Sequence, residues 1–297
     1  MTSPPPERPA VSHHTPVSAA TAEGGCGSTG TSPGERFRAL HRGEGPLVLP
    51  NAWDHASASA LVAAGFRAVG TTSLGVASAA GLLDGQGHTR EETLRLARGL
   101  SRLDVPVSVD IENGFGGSPE QVATLAAELE RMGIAGINLE DGLPDGDLAD
   151  VERQTTIIRA VKEAAPSLFL NARTDTWWLP GHTEATAERV AAYQGAGADG
   201  VFVPGLRDER EIAALVDSLD VPLNILHSPD GPPLNVLAEL GVRRVSCGSL
   251  LFRAALHGAL AAAEAVVSGL PLPEGVPSYD ESQALAERFA APSPTDG

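Results

Sequence analysis

From residue 45 onward the chain repeats one pattern eight times: a short apolar run, a turn, then a helical stretch. The runs are Leu47–Pro50, Ala68–Thr72, Val107–Asp110, Gly136–Glu140, Leu168–Arg173, Gly200–Val203, Leu223–Leu226 and Arg244–Cys247. Each reads as a short buried strand. The helix candidates between and after them are Asp54–Ala64, Thr89–Arg102, Pro119–Met132, Leu148–Ala165, Thr183–Gly195, Asp208–Ser218, Leu234–Leu240 and Ser249–Val267. Ser118-Pro119 and Asp208 mark helix starts, and Gly65, Gly133 and Gly241 mark helix ends. Eight strand–helix units in series predict a (β/α)8 TIM-type barrel, an α/β fold, over an open doubly wound sheet. The first strand leads into Asn51-Ala52-Trp53-Asp54, which has no dinucleotide-binding glycines. The expected organisation is a disordered arm at 1–35, the barrel at 36–270, and a tail at 271–297 carrying a short helix from Tyr279 to Ala290.

Length alone, 297 residues, permits one barrel or two smaller domains. A net charge of −17 argues against sequence-independent binding of nucleic acid or of an anionic membrane. It does not exclude a small anionic substrate, because one arginine and a metal override the global field locally. The arm is rich in Pro, Ser, Thr, Gly and His and has no apolar period. It lacks the charged and apolar regions of a signal peptide. No run of about 18 apolar residues is expected to span a membrane. Cys26 and Cys247 cannot form a disulfide framework, so a reducing cytoplasm is the expectation. Lys162 is the only lysine and lies in a helical stretch, which weighs against a Schiff-base mechanism.

The barrel rim, where such folds do their chemistry, collects the informative residues. Asp110 and Glu112 follow the third strand, Glu140 the fourth and Arg173 the fifth. Spaced at i and i+2 on an extended segment, Asp110 and Glu112 are expected to share a face. Crowded carboxylates call for a divalent cation. The plainer alternatives are helix-capping acids for Asp110 and Glu112, a solvated turn for Glu140-Asp141, and a salt bridge between Arg173 and Asp175. The turn Thr71-Thr72-Ser73-Leu74-Gly75 offers hydroxyls and backbone N–H groups suited to a carboxylate or oxyanion. Asp84 reads as a rim acid or a turn residue. His227 either faces the site or belongs to a loop, and Gly248-Ser249 at a helix start leaves a phosphorylated substrate open.

Together these residues resemble the isocitrate lyase/phosphoenolpyruvate mutase superfamily over about residues 36–268. The motifs are Leu49-Pro50-Asn51-Ala52-Trp53-Asp54, Thr71-Thr72-Ser73-Leu74-Gly75, Asp84, Asp110-Ile111-Glu112-Asn113-Gly114-Phe115-Gly116, Asn138-Leu139-Glu140-Asp141 and Asn171-Ala172-Arg173-Thr174-Asp175. The resemblance implies Mg²⁺, with Mn²⁺ as a substitute, and 2-oxo or 2-hydroxy carboxylate substrates. It implies Asp110 as metal ligand, with Glu112 and Glu140 holding the metal's waters. Thr72, Ser73, Leu74, Arg173 and Asn224 match substrate-binding positions, and Asp84 and Arg173 are the candidate catalytic residues. It further implies a homotetramer or homodimer in which the last barrel helix is exchanged between subunits.

One loop departs from the superfamily. Its carbon–carbon lyases carry a catalytic cysteine among basic residues, and its phosphonate mutases a lysine and an asparagine. Here residues 142–150 read Gly-Leu-Pro-Asp-Gly-Asp-Leu-Ala-Asp. Gly205 stands near the position of a lyase acid. The expected function is a Mg²⁺-dependent lyase cleaving a C–C bond of a small 2-oxo or 2-hydroxy carboxylate through an enolate-like state. The alternatives are an enzyme acting at a C–P bond, either mutase or hydrolase, and a non-catalytic barrel used for binding or assembly.

Overall fold

Residues 47–52 form one extended segment cut by Pro50, which has no N–H to give to a strand ladder. The computed structural model, which describes residues 31–290, splits the segment into β1 (Leu47–Leu49) and β2 (Asn51–Ala52). The proline carbonyl still accepts a hydrogen bond from the Gly70 amide at 2.8 Å. Strand β1 pairs with β9 (Arg244–Ser246), and β2 pairs with β3 (Val69–Thr71). Between them run β4 (Val107–Asp110), β5 (Gly136–Glu140), β6 (Phe169–Arg173), β7 (Gly200–Val203) and β8 (Leu223–Leu226), every pair parallel. The two halves of one segment therefore close the sheet, giving the predicted TIM-type barrel.

The helices are α1 (Pro33–Leu40), α2 (His55–Ala63), α3 (Ser73–Ala79), α4 (Arg90–Leu100), α5 (Pro119–Arg131), α6 (Val151–Ala164), α7 (Thr186–Gly195), α8 (Glu209–Ser218), α9 (Leu234–Glu239), α10 (Leu250–Ser268) and α11 (Tyr279–Ala290). Side chains of Ser32, Asp54, Ser118, Asp150 and Asp208 cap the helices that follow them. Strand residues alternate. Val107, Val109, Ile137, Leu139, Leu170, Ala172, Val201 and Val203 pack against the helices and build the main core.

Three features differ from expectation. Helix α1 begins within the stretch assigned to the arm; residues 1–30 of that assignment lie outside the described residues. The turn at 72–75 opens a short helix, α3, which its Gly- and Ala-rich sequence does not announce. Helix α6 starts at Val151, because Leu148 instead bridges back to Gly142 in a small hairpin. The 19-residue helix α10, with mean hydropathy 1.5, is long and apolar enough to cross a membrane by length and composition alone. It is not an unbroken apolar run, because Arg253, His257 and Glu264 interrupt it.

Helix α1 seals the lower end of the barrel. Phe37 joins Leu47, Leu49, Ala68 and Phe169 in a separate apolar cluster. Just beyond the helix, the His41 ring stacks on Phe169 at 4.4 Å, and its Nδ1 lies 2.8 Å from the Phe37 carbonyl. Burial, helped by the Arg244 charge, depresses the His41 pKa to about 3. The unfolded chain therefore binds this proton more readily than the folded one does. Stability from this group is complete above pH about 6.5 and declines as pH falls toward 3, by up to about 1.4 kcal/mol per pH unit. Urea unfolding at pH 7.0 and 5.5 should show His41→Phe losing about 1 kcal/mol less than the parent between the two pH values. Equal losses would contradict a buried neutral imidazole.

Candidate active site

Asp110, Glu140 and Arg173 close the upper ends of β4, β5 and β6. The register sets Asp110 level with Asn138, and Glu140 level with Arg173. Asp110 and Arg173 line the same cavity. The Arg173 guanidinium meets Glu140 Oε2 at 2.7 Å and grips Asp175 through Nε at 2.6 Å and a terminal nitrogen at 3.1 Å. The salt bridge to Asp175, the plainer expectation for this arginine, is formed, and the Glu140 pair is added to it. Burial favours loss of the arginine proton, but the acids around it outweigh burial and hold it charged.

A buried network stands behind this clamp. Asp141 is fully buried, and its Oδ1 accepts the Asp175 amide at 2.8 Å. Its Oδ2 accepts from Arg189 at 3.0 Å and from the Tyr193 hydroxyl at 2.6 Å. Arg189 and Tyr193 sit four apart on α7, hence on one face. Asp141 therefore fixes the backbone of the residue that orients Arg173. Neither Arg189 nor Tyr193 was singled out from sequence; the available signal was a polar pair at helical spacing flanking the apolar Val190.

Glu112 departs from the extended-segment expectation. Its backbone is left-handed, at φ 51, so the segment after Asp110 is not extended and the shared-face argument fails there. The Glu112 carboxylate accepts from the Gly87 amide at 3.0 Å and from the Thr89 hydroxyl. It clamps the loop that carries Asp84. Asp84 in turn reaches the cavity, where its Oδ1 is buried without a hydrogen-bond partner among the described residues.

Two small cavities share a wall made by Ser73, Asp84, Arg173 and Trp178. One, of about 120 Å³, is lined also by Thr72, Leu74, Asp110 and Asn138; the other, of about 200 Å³, by Glu140, Asp175 and Leu143 of the 142–148 hairpin. The amides of Ser73 and Leu74 find no acceptor among the described residues. Asn224 lies lower than expected. It is buried inside the barrel and bonds Ser246 at 2.9 Å instead of reaching the rim. Gly248 gives its N–H to Asn51 at 2.9 Å, and Gly248 and Ser249 both line the smaller cavity. His227 is exposed and lines neither cavity. A larger cavity of about 620 Å³ opens beside α1 at the other end of the barrel, and none of the rim residues lines it.

The electrostatics ask for a cation. Burial, opposed by Arg173 and reinforced by Asp84, pushes the Asp110 pKa up to about 6. Burial likewise holds Glu140 well above the usual carboxylate range despite Arg173. Among the described residues no three acidic, imidazole or thiol groups are gathered closely enough to hold an ion by themselves. The donor set fits a hard divalent cation taking one or two carboxylates and completing its shell with water.

Two substitutions test the supporting network. Asp141→Ala leaves Arg189 buried and uncompensated and should cost about 3–5 kcal/mol in urea unfolding. Tyr193→Phe, which removes one of the hydrogen bonds to Asp141, should cost about 1–2 kcal/mol. A loss under about 0.5 kcal/mol in both would show that Asp141 does not carry the clamp.

The phosphoenolpyruvate phosphomutase family profile matches residues 37–267. An uncharacterized protein of Mycobacterium tuberculosis is 46% identical over 250 residues, covering 84% of this chain and 95% of the relative. The 2-methylisocitrate lyase of Bacillus subtilis is 34% identical over 197 residues, 63% of this chain and 65% of that one. Among solved structures, a Burkholderia cenocepacia protein described as a phosphonomutase superposes with a TM-score of 0.74 at 39% identity, covering 78% of this chain and 99% of that one. With the barrel closed and the rim residues in order, the chain belongs to the phosphoenolpyruvate phosphomutase family, within the isocitrate lyase/phosphoenolpyruvate mutase superfamily of enzymes.

Proposed function

We propose that this enzyme is a Mg²⁺-dependent lyase that breaks a C–C bond in a small 2-oxo or 2-hydroxy carboxylate through an enolate-like state. The observation that carries this reading is the unpartnered Asp84 Oδ1 facing Asp110 and Arg173 across one cavity. When bound, a divalent cation supplies Lewis-acid stabilisation of negative charge developing on a substrate oxygen. Asp110 is assigned as its direct ligand, and Glu140 as the residue that orients its water. Glu112 acts one step back, by holding the loop at Gly87 and Thr89.

Arg173 takes the substrate carboxylate. Its two acidic partners keep it charged and aimed, so the pairing needs little reorganisation. The Thr72–Leu74 segment presents the free amides of Ser73 and Leu74 to the same end of the substrate. Asp84 is assigned proton transfer, because the 142–150 hairpin has no cysteine, histidine, lysine or arginine to supply it. The likeness to a 2-methylisocitrate lyase supports C–C cleavage. The likeness to a phosphonomutase favours, as second reading, a reaction at a C–P bond.

A thermal-shift assay with oxalate, a planar mimic of an enolate, tests the site. Oxalate with Mg²⁺ should raise the melting temperature by several degrees, oxalate or Mg²⁺ alone by much less, and Asp110→Ala should lose the combined effect. Equal shifts with and without Mg²⁺ would refute the assignment. In the same preparation, phosphonopyruvate turned over to a new phosphorus resonance would favour the C–P reading.

The proposed assembly is a homodimer or homotetramer joined through α10. This helix holds the eighth outer position, yet Leu256, Leu260, Val266 and Val267 are each at least half exposed. A second copy of the same helix face is the occupant whose chemistry matches. Light scattering should find an oligomer that Leu256→Glu with Leu260→Glu converts toward monomer; a monomeric parent protein would contradict it.

A further inference from the structure

The cavity that holds Arg173 is lined by apolar as well as charged side chains. Leu74, Trp178, Phe202, Pro204 and Leu226 line it together with Asp84 and Asp110. Phe202 and Pro204 are buried, whereas Trp178 is 58% exposed at the mouth. A large aromatic surface left in water at the entrance of a polar cavity marks a contact that a ligand completes.

The indole is held there by several constraints. Asp175, the partner of Arg173, accepts the amides of Trp178 and Leu179 through its carbonyl at 2.9 and 2.8 Å. Arg173 and Trp178 are thus tied to one residue. From the other side, Gly205 has φ 85, and a Cβ there would stand 2.4 Å from the Trp177 carbonyl oxygen. Only a residue without a side chain lets the loop after β6 lie this close to the loop after β7.

Charge points the same way. Arg173 is the one cationic side chain among the described residues lining either cavity, and it already faces Glu140 and Asp175. With Asp84 and Asp110 added, four carboxylates surround one guanidinium. Even with a divalent cation bound, these walls hold no positive surplus for a second substrate carboxylate. The cavities of about 120 and 200 Å³ limit the remainder of the substrate to a few carbons.

Resting on the lyase reading above, we infer that the substrate is a monocarboxylate whose short apolar tail packs on Trp178 and the Leu74–Phe202–Leu226 wall. A chain bearing a second or third carboxylate is disfavoured. Trp178 is the specificity-determining residue: it selects the tail and takes no part in the bond broken.

The test is a set of dissociation constants measured with Mg²⁺ by calorimetry for oxalate, pyruvate, 2-oxobutanoate, 4-methyl-2-oxopentanoate and 2-oxoglutarate. Affinity should rise by about fourfold per buried methylene. It should reach at least about tenfold from pyruvate to 4-methyl-2-oxopentanoate, with 2-oxoglutarate weaker than either branched or linear alkyl acid. Trp178→Ala should bring the ratio between the alkyl acid and pyruvate down to about twofold or less, and Trp178→Phe should restore most of it. If oxalate binds with Mg²⁺ but 2-oxoglutarate is the tightest 2-oxo acid, this inference falls while the lyase reading stands. If oxalate fails to bind with Mg²⁺, the lyase reading itself falls. A ratio unchanged in Trp178→Ala would remove the tryptophan from the specificity wall.

Discussion

Everything at the upper rim depends on the way Arg173 is held. A buried guanidinium is tolerable only when acids compensate it, and here Glu140 and Asp175 do so from two sides. Those acids are themselves buried, and burial alone would protonate them. The clamp stands because Asp141, locked by Arg189 and Tyr193, fixes the Asp175 backbone from below. The site is therefore a layered charge arrangement in which each group is stable only in the presence of the next. Such preorganisation is what enzymes use to meet developing charge without rearrangement.

The middle of the barrel continues the same logic with fewer charges. Arg244 lies buried below the cavity, bonded to Asn138 at 3.1 Å and Ser246 at 3.2 Å, with no carboxylate in ion-pair range among the described residues. Burial lowers its pKa to about 9, so it stays charged at neutral pH beneath the acids of the rim. Asn171 and Asn224 complete this polar layer. Below it, Phe37 and Phe169 return the interior to apolar packing. The barrel thus grades from a dry, aromatic base to a charged mouth.

Much of this was legible in the sequence because strand ends and chemistry coincide. A short apolar run followed by Asp, Glu or Arg locates both the strand and the rim, and Asp110, Glu140 and Arg173 were placed that way. Depth was not legible. Alternation turns Asn224 inward, but only its burial and its bond to Ser246 show that it is spent inside the barrel and does not meet a substrate. The shared face of Asp110 and Glu112 fails because a period-two argument presumes extended backbone, and the positive φ of Glu112 breaks that premise. Helix α1 was hidden by the Pro- and Ser-rich composition around it, although Ser32 and Glu35 form a capping box that announces it. Helix α3 has no apolar period to find.

A single diffraction experiment reaches the central assignment of this rim. Crystals soaked with Mn²⁺ and oxalate should show an anomalous peak within coordination distance of an Asp110 carboxylate oxygen, with oxalate lying between it and Arg173. A well-occupied peak elsewhere, or oxalate bound away from Arg173, would contradict the assignment of this rim as the place where the enzyme works.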